Sequence, residues 1–169
     1  KCTSAILENV RKGLESKTCG KSLYVTDYHS FLKHLQNEAD IVVKAPWSSS
    51  GRGVRYFLDG EQAENALNWV NNVIRLQGGV MIEPLYNKVK DFGMEFSADD
   101  EGHIHYLGLS LFHTVNGAYE GHILATESTK MGIISRYIPV NLLENIKQNI
   151  ISKLNLDGYV GPFGVDMIL

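Results

Sequence analysis

The chain has 169 residues, 44% hydrophobic and 21% charged, with a formal net charge of −3. At roughly 100 to 200 residues per domain this is one domain or two small lobes, with apolar content for a real core, which excludes a disordered or fibrous protein. The acidic balance supplies no cationic field for nucleic acid, and the apolar stretches fall short of the ~20 residues that cross a bilayer, so neither nucleic acid nor membrane is an expected partner.

Ile6, Leu7, Val10 and Leu14 recur at helical spacing behind the cap-competent Thr3 and Ser4, which predicts a helix running to Cys19-Gly20. Ser22 to Val25 reads as a short strand, and Thr26 or Asp27 caps a helix with Phe31, Leu32 and Leu35 inward. Asp40 to Lys44 is the next strand, an Ile-Val-Val run ending in a lysine. Ala45 to Gly53 has no period and reads as a loop; Val54 to Phe57 resumes strand alternation, and Asp59-Gly60 turns. Ala63, Ala66, Leu67, Val70 and Ile74 then mark a long helix ending at Gly78-Gly79, followed by the buried strand Val80 to Ile82.

Asp91 to Ser97, the turn Asp99 to Gly102 and the strand His103 to His113 predict an antiparallel hairpin. A polar loop at Asn116-Gly117 leads to a weaker strand near His122 to Thr126, and Asn141 with Glu144 resembles a capping pair opening a helix that faces Leu143, Ile146, Ile150 and Leu154 inward. The run from Tyr159 to Leu169 reads as a buried central strand that stops without a turn. That ending, and a first residue that is not methionine, predict a fragment of a longer protein. The mixed order predicts an α+β fold with at least one antiparallel sheet. Cys2 and Cys19 match no metal or disulfide spacing and read as free thiols, and no basic, apolar leader opens the chain, so a cytoplasmic protein is expected.

The chemistry concentrates in a few places. A buried strand that delivers Lys44 beside Ser48, Ser49, Ser50, Gly51, Arg52 and Gly53 suits phosphate, because the ammonium is a point charge and the loop offers hydroxyl and backbone N–H donors. Taken alone, the same residues read more readily as a solvated lysine at a strand end followed by a flexible hairpin turn. Glu83 follows Val80-Met81-Ile82, so its carboxylate or flanking backbone can meet a flat heterocycle, and Pro84 takes the chain out of the ladder there. Alternation sets Asp91, Gly93 and Glu95 on one strand face and Phe92, Met94 and Phe96 on the other. Asp166 between Val165 and Met167 is either a costly buried carboxylate that needs a partner or a residue on the wet face.

In this order, Lys44 on its strand, the Ser/Gly/Arg loop, Glu83, the acidic strand and Gly164-Val165-Asp166 resemble the ATP-grasp superfamily of ATP-dependent carboxylate-amine and carboxylate-thiol ligases. The resemblance covers about Ser22 to Leu169, and the phrase from Lys44 to Val54 is similar to the form in bacterial members. It implies an α+β ATP-grasp fold of two α+β lobes gripping ATP, truncated at the C-terminus. Residues 1–20 would lead from an absent N-terminal lobe, 21–79 form the small lid lobe, and 80–169 form an incomplete large lobe. ATP and Mg²⁺ are the implied cofactors, and small-molecule carboxylate and amine or thiol substrates the implied partners.

By the same resemblance Lys44 touches the α-phosphate and adenine side, and the Ser48 to Gly53 loop closes over the β- and γ-phosphates. Lys44 and Arg52 thereby become the catalytic cations. Glu83 with the backbone near Leu85 takes the adenine amino edge, Asp91 the ribose hydroxyls, and Asp166 is the first Mg²⁺ carboxylate. A family Glu-x-Asn metal element does not occur before Leu169, so this fragment is expected to be inactive by itself. Gly164 leaves the acylphosphate contact unassigned. A non-catalytic nucleotide- or phospholigand-binding module is the alternative.

Other residues carry less. His103 and His105 with Glu101 have metal-like spacing but suit the wet face of a hairpin better. His29, His34, His113 and His122 lack a diagnostic partner, and Tyr119 and Tyr159 suit rim packing. Trp47 is close enough to Lys44 to line a cleft, Trp69 suits packing, and Arg136 is a candidate cation in an irregular segment.

Overall fold

A computed structural model describes residues 3–38, 40–48, 51–58, 64–115, 118–154 and 156–169. The elements run α1 (Thr3–Arg11), β1 (Leu23–Val25), α2 (Tyr28–Asn37), β2 (Ile41–Lys44), β3 (Val54–Phe57), α3 (Glu64–Gln77), β4 (Val80–Pro84), β5 (Asp91–Ala98), β6 (Ile104–Val115), β7 (Ala118–His122), α4 (Glu127–Ile134), α5 (Val140–Lys153) and β8 (Gly161–Ile168). The chain divides into two compact units, one of Lys1–Leu7 with Cys19–Asn87 and one of Glu8–Thr18 with Lys88–Leu169. Strand β4, grouped by sequence with the second lobe, belongs to the first, because it pairs with both β1 and β2.

The first unit is a four-stranded antiparallel sheet in the order β1-β4-β2-β3, with α2 and α3 against one face. Asp27 caps α2 by accepting from the Ser30 N–H at 2.8 Å, as its position before Tyr28 predicts. Phe31, Ile41, Val43, Phe57, Val70, Val73, Val80 and Ile82 fill the core. Arg55 faces the same side and lays its guanidinium over Trp69, 4.7 Å from the ring centre, so Trp69 does pack. Val42, Lys44, Met81 and Glu83 therefore occupy the face opposite α2 and α3, where Val42 and Met81 are buried and Lys44 and Glu83 half-buried.

The second unit is an antiparallel sheet in the order β7-β6-β5-β8, with α4 and α5 on one face. Phe92, Met94, Phe96, Leu109, Leu111, Ile134, Leu143 and Ile150 form its core. The expected alternation of β5 holds, leaving Asp91, Gly93 and Glu95 on the open face. A bulge at Glu95/Phe96 leaves Leu107 without a partner in the ladder and 61% exposed, while Gly108 opposite Glu95 takes φ 147°, a conformation that suits glycine.

Glu127 of α4 closes that bulge. Its carboxylate accepts from the Leu109 N–H at 3.0 Å and from the Tyr106 hydroxyl at 2.7 Å, and Lys130 donates to the Leu109 carbonyl. Burial alone would raise this carboxyl, but the Tyr106, Leu109 and Lys130 donors outweigh it and hold it below its ordinary 4.5. A depressed carboxylate contributes stability above its unfolded value and loses it as pH falls. Glu127→Ala is therefore expected to cost about 1–2 kcal/mol at neutral pH, a figure trimmed for solvent screening. Urea titrations should show the gap to wild type narrowing as pH falls below about 4.5.

Several expectations need correction. Helix α1 stops at Arg11, because Gly13 takes φ 86° and the Arg11 side chain folds back to the Thr18 hydroxyl at 2.8 Å and carbonyl at 2.6 Å. Helix α5 opens on Pro139, whose carbonyl accepts from Leu142 and Leu143, while Glu144 pairs with Lys147 at 2.6 Å and not with Asn141. Residues 123–126 form no strand, and α4 follows them. Among the described residues strand β8, expected as a central strand, pairs with β5 alone. The turn at Asp59-Gly60, Ala63, the loop at Asn116-Gly117 and Cys2 lie outside the described residues. Cys19 is an exposed free thiol.

Candidate functional site

On the face of the first sheet away from α2 and α3, Val42 lies opposite Glu83 and Lys44 opposite Met81, so Lys44 and Glu83 are diagonal neighbours. Long side chains span that diagonal. The Lys44 ammonium meets Glu83 Oε2 at 2.6 Å, with the two side chains 43% and 26% exposed, and the Ser22 hydroxyl stands 3.5 Å from Oε1. Residues 39 apart in sequence, each singled out for itself, thus form one ion pair.

The loop after β2 is anchored beside this pair. The Ala45 N–H donates to the Gly53 carbonyl at 2.8 Å, and Val54 N–H to the Gly51 carbonyl at 3.3 Å, with Gly51 at φ 73°. Gly53 is buried, and a Cβ there would stand 2.3 Å from Ser48 Cβ, so only glycine lets the two loop arms approach. Arg52 is exposed at the tip, its carbonyl accepting from Arg55 at 3.2 Å. Ser49 and Ser50 lie outside the described residues. Trp47 is 79% exposed, its N–H donating to Gln77 at 2.9 Å.

Pro84 ends β4, so the chain does leave the ladder there. The Leu85 N–H is engaged, donating to the Asp40 carbonyl at 3.0 Å.

In the second unit Asp91 is 9% exposed and its Oδ2 accepts from the Lys88 ammonium and the Thr114 hydroxyl, each at 2.7 Å. Lys88 also donates to Thr114. Neither partner stands out in sequence; the i,i+3 charge spacing of Lys88 and Asp91 was the available signal.

Asp166 is exposed between core-facing Val165 and Met167, so of its two readings the structure gives the wet face and not the buried one. Its carboxylate leans over Gly93 of the neighbouring strand, Oδ1 3.0 Å from where a Cβ would stand. Glu95 leans in the same way over Gly164, Oε2 2.9 Å from a Cβ position. Glycines thus leave room above the sheet for both carboxylates.

At the hairpin tip His103 and His105 clasp Asp99 at 3.3 and 2.9 Å. The His105 bond, then the His103 N–H, pull the Asp99 carboxyl down to about 2. Among the described residues no group of three or more His, Cys, Asp or Glu is arranged to hold a metal ion. Arg136 is exposed in the turn after α4.

By sequence, no protein-family model and no curated protein matches this chain. Solved structures do. N5-carboxyaminoimidazole synthetase from Staphylococcus aureus, complexed with ADP, superposes with a TM-score of 0.65 at 14% identity over 98% of this chain and 39% of its own. Carboxyaminoimidazole ribonucleotide synthase from Aspergillus clavatus, complexed with ATP, gives 0.64 at 10% identity over 97% of this chain and 40% of its own. The biotin carboxylase domain of Hydrogenobacter thermophilus 2-oxoglutarate carboxylase, in complex with MgADP, ADP and bicarbonate, gives 0.59 at 15% identity over 98% of this chain and 35% of its own. The chain therefore has the α+β ATP-grasp fold and spans about two fifths of the length of these structures. No helix among the described residues is long and apolar enough to cross a membrane.

Proposed function

We propose that this chain is the nucleotide-binding part of an ATP-dependent ligase, one that activates a carboxylate as an acylphosphate for capture by an amine or thiol. The observation that carries it is the Lys44–Glu83 pair at 2.6 Å, set beside a glycine-pinned loop on the face of the first sheet away from α2 and α3, in a chain with the ATP-grasp fold. Chemistry of this kind rests on positioning and charge neutralisation and requires no side-chain nucleophile.

Lys44, two-fifths exposed, is reachable by a phosphate, and Glu83 holds its charge until one arrives. The loop residues Ser48, Ser49, Ser50, Gly51, Arg52 and Gly53 supply hydroxyl and N–H donors and a second cation for the outer phosphates. An adenine amino group is a donor, so at Leu85 the carbonyl is the acceptor, the N–H being committed to Asp40. Asp91, oriented by Lys88 and Thr114, is assigned to the ribose hydroxyls.

Asp166 fits a magnesium ion. Mg²⁺ takes one or two carboxylates and completes its shell from water and phosphate, and Asp166 presents its oxygens on the open face above a glycine. When bound, the ion neutralises charge on the transferring phosphate.

The test is Mg-ADP binding to this chain. A ligand at 100 times its dissociation constant adds about 2.7 kcal/mol, and about 2–4 °C per kcal/mol applies at this size, so melting should rise by about 5–10 °C. An unchanged melting temperature at millimolar Mg-ADP contradicts the proposal.

A further inference from the structure

The second unit holds a cavity of about 270 Å³ at the end of its sheet where Ala98 pairs with both Ile104 and Gly161. Buried Ala98 and Ile104, with half-buried Leu154 and Leu156, give it an apolar floor. Asp99, Asp100 and Asp157 also line it, and among the described lining residues there is no lysine or arginine. Asp91 stands at the opposite end of β5, roughly 23 Å away at about 3.3 Å per residue. The cavity therefore lies outside every role assigned above.

Its walls are held by bonds of their own. From Leu156 to Tyr159 the chain turns through Asp157 at φ 50° and Gly158 at φ 84°, closed by the Tyr159 N–H donating to the Leu156 carbonyl at 3.0 Å. A left-handed residue other than glycine is uncommon, and this one sets an exposed carboxylate on the rim. The Tyr159 hydroxyl donates to the Pro162 carbonyl at 2.7 Å, and its ring meets Phe163 edge-on at 6.5 Å, so an aromatic ring that is 48% exposed is fixed in place. On the hairpin side the Asp99 carboxylate accepts from the Glu101 and His103 N–H groups at 3.1 and 2.8 Å, which pins the turn that carries Asp100. Asp99 is taken up by these bonds and by the two histidines, which leaves Asp100 and Asp157 to meet a ligand.

A cavity of this size falls below the ~300 Å³ at which sites for drug-sized ligands begin, and it matches one long side chain. An apolar floor under a carboxylate rim calls for an aliphatic stem with a cationic head. The tyrosine ring favours a planar guanidinium, which stacks on an aromatic face while donating to carboxylates, over the compact ammonium of lysine. Walls already in place cost little to order on binding, and an arginine seated in such a pocket is the kind of anchor on which protein interfaces concentrate their affinity. We propose that the cavity receives an arginine side chain from a protein partner. Asp100 and Asp157 take the guanidinium, Tyr159 stacks on it, and Leu154 and Leu156 line its stem. The inference goes beyond the nucleotide proposal and stands whether or not the first unit binds Mg-ADP.

The test is amide-shift mapping of the whole chain titrated with N-acetyl-arginine methylamide, an arginine side chain held between two peptide bonds. Saturable shifts at millimolar concentration are expected, centred on residues 98–104 and 156–160. The matching citrulline derivative, of the same shape without the charge, should bind about tenfold more weakly, and the lysine derivative about threefold more weakly. Asp100→Asn combined with Asp157→Asn removes both rim charges and should weaken binding about tenfold; asparagine accepts the left-handed backbone at 157, so the turn is kept. Tyr159→Leu should weaken it about threefold.

Absence of saturation, equal binding of the citrulline derivative, or wild-type affinity in the double asparagine variant or in Tyr159→Leu overturns the inference. Tighter binding of the lysine derivative overturns the choice of arginine. Free arginine, whose own carboxylate the acidic rim repels, should bind more weakly than the capped form; tenfold tighter binding would make this a site for the free amino acid and overturn the protein partner.

Discussion

Lys44→Ala is expected to abolish the rise in melting temperature that Mg-ADP gives the wild-type chain, while barely moving the melting of the ligand-free protein. The ligand-free effect is small because Lys44 and Glu83 are both partly exposed, and ion pairs of that kind contribute about 0–1 kcal/mol. The liganded effect is large for two reasons. A charge-assisted bond to phosphate is lost, and Glu83, no longer neutralised, then repels the same phosphates. Together these weaken binding by about a hundredfold or more, which removes nearly all of the stabilisation available at 100 times the wild-type dissociation constant. Thermal melts of both proteins with and without Mg-ADP measure this. Equal ligand-induced shifts would remove Lys44 from the site.

The largest stability loss is expected at Phe96. It is fully buried, stacks on Phe163 with ring centres 5.4 Å apart and meets Tyr106 edge-on at 5.6 Å. Phe96→Ala removes a large ring from three-way packing and leaves a cavity walled by two rings that cannot collapse fully, at a cost of about 3–5 kcal/mol. Both tryptophans, Trp47 and Trp69, lie in the first unit, so no tryptophan within the second unit reports this transition. Far-ultraviolet circular dichroism in urea does, and a loss below about 1 kcal/mol would mean that the ring is not the keystone its burial indicates.

Sequence made some of this legible for a physical reason: an apolar run that ends in a charged residue has few places to go. Ile41 to Val43 must be buried, so Lys44 emerges at the strand end, and Val80 to Ile82 deliver Glu83 in the same way. Period-two alternation gave the faces of β5 correctly. The pairing of Lys44 with Glu83 was not legible, since it depends on β2 and β4 being neighbours in register.

The misses share that cause. The wet face of Asp166 is one of the two readings that alternation left open, and only the packing of Val165 and Met167 against the core decides between them. The Ser110–His122 bond crosses a hairpin whose register shifts at His113/Thr114, so counting residues along the chain does not bring the two together. Helix α4 has Gly132 and no clean apolar stripe, and what fixes it is Glu127 reaching a bulge 18 residues upstream. Helix α1 ends early because a left-handed glycine and an arginine bonded to Thr18 prevail over a continuing apolar period.

The central claim is that the face carrying Lys44 and Glu83 binds a nucleotide. It is tested most directly by mapping amide resonance shifts of the wild-type chain during a Mg-ADP titration. The account predicts saturable shifts in the first unit centred on Lys44, the turn from Gly51 to Val54, and Glu83 to Leu85. No saturable shift, or shifts that leave those three segments unmoved, would contradict it.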